Sequence, residues 1–111
     1  MIEPVKMLLM FVNETDRWND APLYQAIVMR LRQLNIAGAT AQTGIIGFGH
    51  HHVLHHKGLF GISDDRPVTI TVVDDESKIR AVLPELRTMV REGLILLVDA
   101  ELVADQPTPS P

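Results

Sequence analysis

The chain has 111 residues, 46% of them hydrophobic and 22% charged. That is one small domain with an ordinary core, which excludes a multi-domain enzyme with separate cofactor and substrate modules and a disordered or collagen-like polypeptide. A net charge of -4 argues against nucleic acid or an anionic membrane as the main partner, since both select for a basic face, and the absence of cysteine removes disulfides, thiolate metal sites and a Cys nucleophile.

The opening MIEPVKMLLMFV places Glu3 and Pro4 ahead of a short apolar run, Met7 to Val12. It lacks the basic start, long apolar stretch and small-residue cleavage site of a signal peptide. Neither this run nor Leu94 to Val98 approaches the roughly 20 apolar residues of a membrane helix, so a cytoplasmic location without direct membrane insertion is expected. Val5 to Val12 reads as a first strand closing on the polar turn Asn13-Glu14-Thr15-Asp16. Asp20 is placed to cap a helix with Pro22 in its first turn, along which Leu23, Ile27, Leu31 and Leu34 recur at spacings of four and three. Asn35 should stop that helix and Gly38 complete its exit, because both tolerate left-handed backbone angles.

Ala39 to Ile46 has no helical stripe and leads into Gly44, Gly47 and Gly49, which suits a second strand running out into a loop. Pro67 then opens the β-branched run Val68 to Val73, a third strand. Asp74 and Asp75 end it and supply the negative start of a helix from about Glu76 to Glu92, with Ile79, Val82, Leu83, Leu86 and Val90 as its apolar stripe. Pro84 inside this helix should kink it or split it in two. Gly93 is placed as its stop, Leu94 to Val103 as the last strand, and 105–111, with alternating prolines, as a disordered tail. The order βαββαβ predicts an α+β, ferredoxin-like sandwich over residues 1–104: a four-stranded antiparallel sheet with two helices on one face. The connection between the second and third strands, residues 47–66, is long for so small a domain, and a loop of that length is usually functional or disordered.

Such a sheet leaves one face in water, yet the first strand is apolar on both sides, with Leu8, Met10 and Val12 opposed to Met7, Leu9 and Phe11. The last strand repeats the pattern, with Leu94, Leu96 and Val98 opposed to Ile95 and Leu97. Self-association through the helix-free face is therefore expected, the alternative being that the tail or the long loop folds over it.

The series Asn13-Glu14-Thr15-Asp16-Arg17-Trp18, Pro22-Leu23-Tyr24-Gln25-Ala26-Ile27, Gly38-Ala39-Thr40, Gly44-Ile45-Ile46-Gly47-Phe48-Gly49 and Leu83-Pro84-Glu85-Leu86 resembles domain-of-unknown-function family 190, a group of P-II-like (GlnB-like) prokaryotic proteins. The resemblance extends to about Val103. It implies a homotrimer of ferredoxin-like subunits, the assembly of P-II signalling proteins and of their CutA relatives. It also implies an adenine nucleotide or other small effector between subunits, and a T-loop, here residues 47–66, that contacts a transporter or enzyme target. Where the family pattern continues with small and basic residues, this chain has His50-His51-His52-Val53-Leu54-His55-His56-Lys57. No match to the P-II modification or 2-oxoglutarate motif is present, so no P-II ligand residue carries over by position.

The spacing Gly44-x-x-Gly47-x-Gly49 could let backbone amides approach a phosphate, with Phe48 beside them and Arg66, Lys57, Arg87 or Arg91 adding charge; the alternative is a strand end that bends at glycines. All five histidines lie in this loop. His51 with His55 and His52 with His56 have the i, i+4 spacing of a helical metal site for Zn, Cu or Ni, and His50 with His52 would share a face if extended; Asp64 or Asp65 could complete the set. The cluster could equally be a solvated loop, or a contact that charges as pH falls through about 6.5. Glu14, Asp16 and Arg17 have no partner nucleophile and read as a turn or subunit contact, with Trp18 packing nearby. The chain is thus expected to be a P-II-like regulatory protein and not an enzyme, with a CutA-like metal-binding module as the alternative.

Overall fold

In a computed structural model, which describes residues 1, 4–48, 55–56 and 65–105, the two-sided apolar segment becomes strand β1, Val5–Asn13. A two-residue ladder follows, β2 (Arg17–Trp18) with β3 (Ala21–Pro22), then helix α1 (Leu23–Gln33) and strand β4 (Gly38–Thr43). The long connection carries a second small ladder, β5 (Ile46–Gly47) with β6 (His55–His56). Strand β7 (Pro67–Asp75), helix α2 (Glu76–Met89) and strand β8 (Leu94–Asp99) complete the order. The sheet runs β4-β7-β1-β8 with every pairing antiparallel, so the expected α+β ferredoxin-like arrangement is what the chain adopts.

Register explains the core. Leu8, Met10 and Val12 of β1 lie across from Val72, Ile70 and Val68 of β7, and all six are buried. Leu23, Ile27 and Leu31 of α1, with Ile79, Val82, Leu86 and Met89 of α2, close over them. Each such side chain contributes about 1.5–3 kcal/mol on burial, and the spacing of four on α1 and of three and four on α2 is what turns these residues to one side.

Several ends differ from the sequence expectation. Asp20 does not cap α1: the β2–β3 ladder turns at Asn19, whose φ is 55°, the N-cap is Pro22 without a side-chain bond, and the Leu23 N–H is satisfied by the Asp16 carbonyl at 2.7 Å. Asn35 does stop the helix, with φ of 60°; its N–H reaches the Arg32 carbonyl and that of Ile36 the Leu31 carbonyl, a Schellman closure. Gly38 plays no part in that exit and is the first residue of β4. Helix α2 ends at Met89, short of Glu92, and Pro84 leaves it as one helix; Arg80 and Pro84 are both exposed, so the carbonyl that loses its donor faces water. Gly93 is required by close approach, since a Cβ there would sit 2.6 Å from the Phe11 carbonyl. Strand β8 stops at Asp99, where the Asp99 side chain pairs with Lys6 of the adjacent strand. Asp105 accepts a bond from the N-terminal amine, and the rest of the expected tail, 106–111, lies outside the described residues.

Among the described residues Asp74 is the one buried charged side chain, 1% exposed. Its carboxylate accepts the N–H of Ala37 at 2.8 Å and of Asp75 at 2.7 Å, and Lys78 lies 3.2 Å away. It thereby ties the α1–β4 turn to the start of α2. Burial pushes its pKa up, but the two backbone donors and Lys78 outweigh that and hold it below the ordinary carboxylate value. A lowered folded-state pKa stabilises above the unfolded value of about 3.9 and is lost as pH falls through the folded one. Replacing Asp74 by Asn should cost about 1–3 kcal/mol at pH 7, with the gap to wild type narrowing in urea melts taken below pH 4; an equal gap at pH 7 and pH 3 would contradict the assignment.

Candidate functional site

Strands β1 and β4 run out, and β7 and β8 begin, at one end of the sheet. The topology therefore gathers the Asn13–Asp16 turn, both arms of the long connection and the Val90–Gly93 bend at a single pole. The turn is built by Asp16, whose carboxylate accepts the Asn13 N–H at 2.9 Å while its own N–H returns to the Asn13 carbonyl at 3.1 Å. It holds the returning arm at two points: the Glu14 N–H donates to the Arg66 carbonyl at 2.8 Å, and the Thr15 hydroxyl donates to the Asp65 carboxylate at 2.8 Å. Arg66 Nε lies 4.0 Å from Glu14 Oε2, an oxygen that is buried and accepts no hydrogen bond among the described residues.

The outgoing arm wraps a proline. The Gly44 N–H donates to the Pro67 carbonyl at 2.6 Å, a Cβ on Gly44 would fall 2.9 Å from Pro67 Cγ, and one on Gly47 would fall 3.4 Å from it. The close approach that the glycine spacing suggested is thus made to Pro67, and neither glycine has a left-handed φ. Phe48 is 66% exposed, next to exposed Ile45 and Ile46. Gly44, Gly47 and Arg66 are therefore brought together around Pro67, with Phe48 following on the outgoing arm. Gly49, His50, His51, His52, Lys57 and Asp64 lie outside the described residues. His55 and His56 are placed as backbone, opposite Gly47 and Ile46. Among the described residues no group of three or more His, Asp or Glu is arranged to hold a metal ion.

Two features were beyond sequence reasoning. Pro67 as the partner of both glycines depends on the pairing of β4 with β7, which brings positions 44 and 67 together. The Arg91 guanidinium stands 5.7 Å over the Trp18 ring, a contact between residues 73 positions apart that no local pattern signals.

Residues 5–102 match family DUF190, described as uncharacterized ACR, and the chain belongs to that family. It is 30% identical over 98 residues to a UPF0166 protein of Aquifex aeolicus, covering 88% of this chain and 92% of that one. It is 34% identical over 98 residues to a UPF0166 protein of Methanocaldococcus jannaschii, covering 87% and 90%. Its fold is similar to that of CPII from Thiomonas intermedia K12, a nitrogen regulatory PII-like protein solved bound to ADP, AMP and bicarbonate, with a TM-score of 0.66 at 17% identity over 89% of this chain and 88% of that one. It is also similar to the divalent ion tolerance protein CutA1 of Ehrlichia chaffeensis, with a TM-score of 0.63 at 12% identity over 95% and 89%. Among the described residues no helix is long and apolar enough to cross a membrane.

The glycine–proline contact is testable by itself. Gly44→Ala should destabilise the fold by about 1–3 kcal/mol, since the rigid Pro67 ring cannot move aside, and Pro67→Ala in the same chain should recover a good part of that loss. Additive losses in a double-mutant cycle of urea melts would show that the two positions do not touch.

Proposed function

We propose that this member of the DUF190 family is a P-II-like regulatory protein and not an enzyme: a homotrimer that binds an adenine nucleotide between subunits and contacts a transporter or enzyme through residues 47–66. The observation that carries the reading is the helix-free face of the sheet. Across β1 and β8 the pairs Phe11 with Leu94, Leu9 with Leu96 and Met7 with Val98 lie side by side, and Val73 of β7 extends the patch beyond Met7. Phe11 is 38%, Leu94 53% and Leu96 40% exposed in the single chain. Soluble monomers rarely leave so continuous an apolar surface in water, and burying it between copies removes it.

The nucleotide is supported by the CPII fold, whose similar chain is described with ADP and AMP bound. On this reading Gly44 and Gly47 shape the outgoing arm around Pro67, Gly49 is the glycine left to give a phosphate close approach, Phe48 offers an aromatic face, and Arg66 supplies positive charge. The buried Glu14 Oε2 is an acceptor for a donor on the ligand. Because the same turn anchors the returning arm, a bound effector would favour one arrangement of residues 47–66 over another, and a partner would distinguish them.

Sedimentation should give the trimer mass at micromolar concentration, and Leu96→Asp should give a folded monomer, because this side chain is already partly in water in the isolated subunit. Calorimetry should then find ADP binding to the wild-type trimer and none to that monomer. A wild-type chain that sediments as a monomer contradicts the assembly, and a trimer with no saturable heat for ATP, ADP or AMP contradicts the effector.

A further inference from the structure

We propose that residues 100–105 of one copy lie along the open edge of β8 in the next copy, with Val103 seated in the trough between that strand and α2. This rests on the homotrimer reading above and adds the segments by which one subunit holds its neighbour.

Strand β8 is an edge strand, paired with β1 alone among the described residues. Residues 94–98 are five consecutive apolar side chains, with neither the proline nor the charge that ordinarily blunts an edge until Asp99 is reached. Both faces of this edge are apolar. On the helix-free side Leu94 and Leu96 are exposed; on the helix side Ile95 and Leu97, with Leu83 and Val90, line an open trough of about 340 Å³ whose one charged lining residue is Arg87. An extended segment that bonds the strand edge through its backbone, and that carries an apolar side chain on each side, satisfies such a surface.

The stretch that follows β8 has that character. Residues 100–105 read Ala-Glu-Leu-Val-Ala-Asp and are all exposed. The Ala100 N–H reaches the Val5 carbonyl at 3.4 Å, and beyond it residues 101–105 make no backbone hydrogen bond among the described residues. Val103 is 90% exposed, more than any other large apolar side chain described, and Leu102 is exposed as well. In an extended segment Glu101 and Val103 fall on one side and Leu102 on the other. Val103 then fills the trough with Glu101 facing Arg87, which forms no ion pair among the described residues, while Leu102 extends the apolar helix-free patch beside Leu96. A return onto its own strand is disfavoured: the segment runs on past the start of β1 until Asp105 meets the N-terminal amine, and a reversal would need a turn in a stretch without Gly, Pro or Asn. Each copy thus offers one arm and one trough, and a head-to-tail contact of this kind closes into a ring.

The chain has no cysteine, so an introduced pair reports this contact alone. Under mild oxidation at least one of the double variants Leu83→Cys/Val103→Cys and Ile95→Cys/Val103→Cys should give dimer and trimer bands on a non-reducing denaturing gel, and the single variants none. In sedimentation, a chain ending at Ala100 and the variant Val103→Asp should each assemble with a dissociation constant raised at least tenfold, with unchanged far-UV circular dichroism. A wild-type trimer in which neither pair cross-links between chains, or in which the disulfide closes within one chain, overturns the docking and leaves the assembly standing. A truncated chain that assembles as wild type does the same, whereas a monomeric wild type overturns both readings.

Discussion

The structure depends on one constraint, a central strand that is apolar on both faces. Strand β1 is paired on both edges, with β7 and β8, so its backbone is satisfied within the chain. Its side chains are not. Leu8, Met10 and Val12 find cover under α1 and α2, whereas on the other face Met7 and Leu9 stay half-buried and Phe11 is exposed. A two-helix sandwich can shield one side of a sheet only, and the apolar residues on the other side are what the proposed assembly would bury. The same strand sets the place of the candidate site: it delivers the Asn13–Asp16 turn to the end where β4 leaves and β7 returns, so the returning arm of the long connection is held by the turn that β1 itself supports.

How much of this was legible follows from the range of each interaction. The βαββαβ order, the apolar stripes and the helix stop at Asn35 depend on periodicity and on residues a few positions apart, and they were readable. The ends that differed depend on distant partners. Asp20 looks like a cap beside Pro22, yet the donor it would serve, the Leu23 N–H, is met by the Asp16 carbonyl once the β2–β3 ladder folds the turn back. Pro84 looks like a break, but a proline on the wet side of a packed helix forfeits one bond to solvent while Val82 and Leu86 keep the buried side continuous. At the site, the glycines were legible as positions of close approach, and their partner was not. A phosphate and a proline ring demand the same absence of a Cβ, and only the β4–β7 register shows that Pro67 is what lies there.

The turn after β1 serves two neighbours at once. Glu14 and Thr15 hold Arg66 and Asp65 on the returning arm, and a few residues further on Trp18 lies under the Arg91 guanidinium of the bend after α2. In a fold whose helices cover one face and whose other face is, on the proposed reading, covered by copies, the strand ends are the surface left for ligands, and the candidate site lies at one of them.

The two poles are built to different standards. At the far pole the chain is tied by bonds between distant segments: Asp74 to Ala37, Lys78 to the Asn35 carbonyl at 2.8 Å, the Glu76 N–H to the Pro4 carbonyl at 2.8 Å, and Lys6 to Asp99. At the near pole the described structure beyond the main sheet consists of two-residue ladders and a few single bonds, with Ile45, Ile46 and Phe48 exposed. Elements with few buried contacts open at far lower free energy than a core does. Rearranging the near pole therefore costs a few local bonds and leaves the sheet and the helices intact, which is the division of stability that the proposed ligand-controlled contact surface requires.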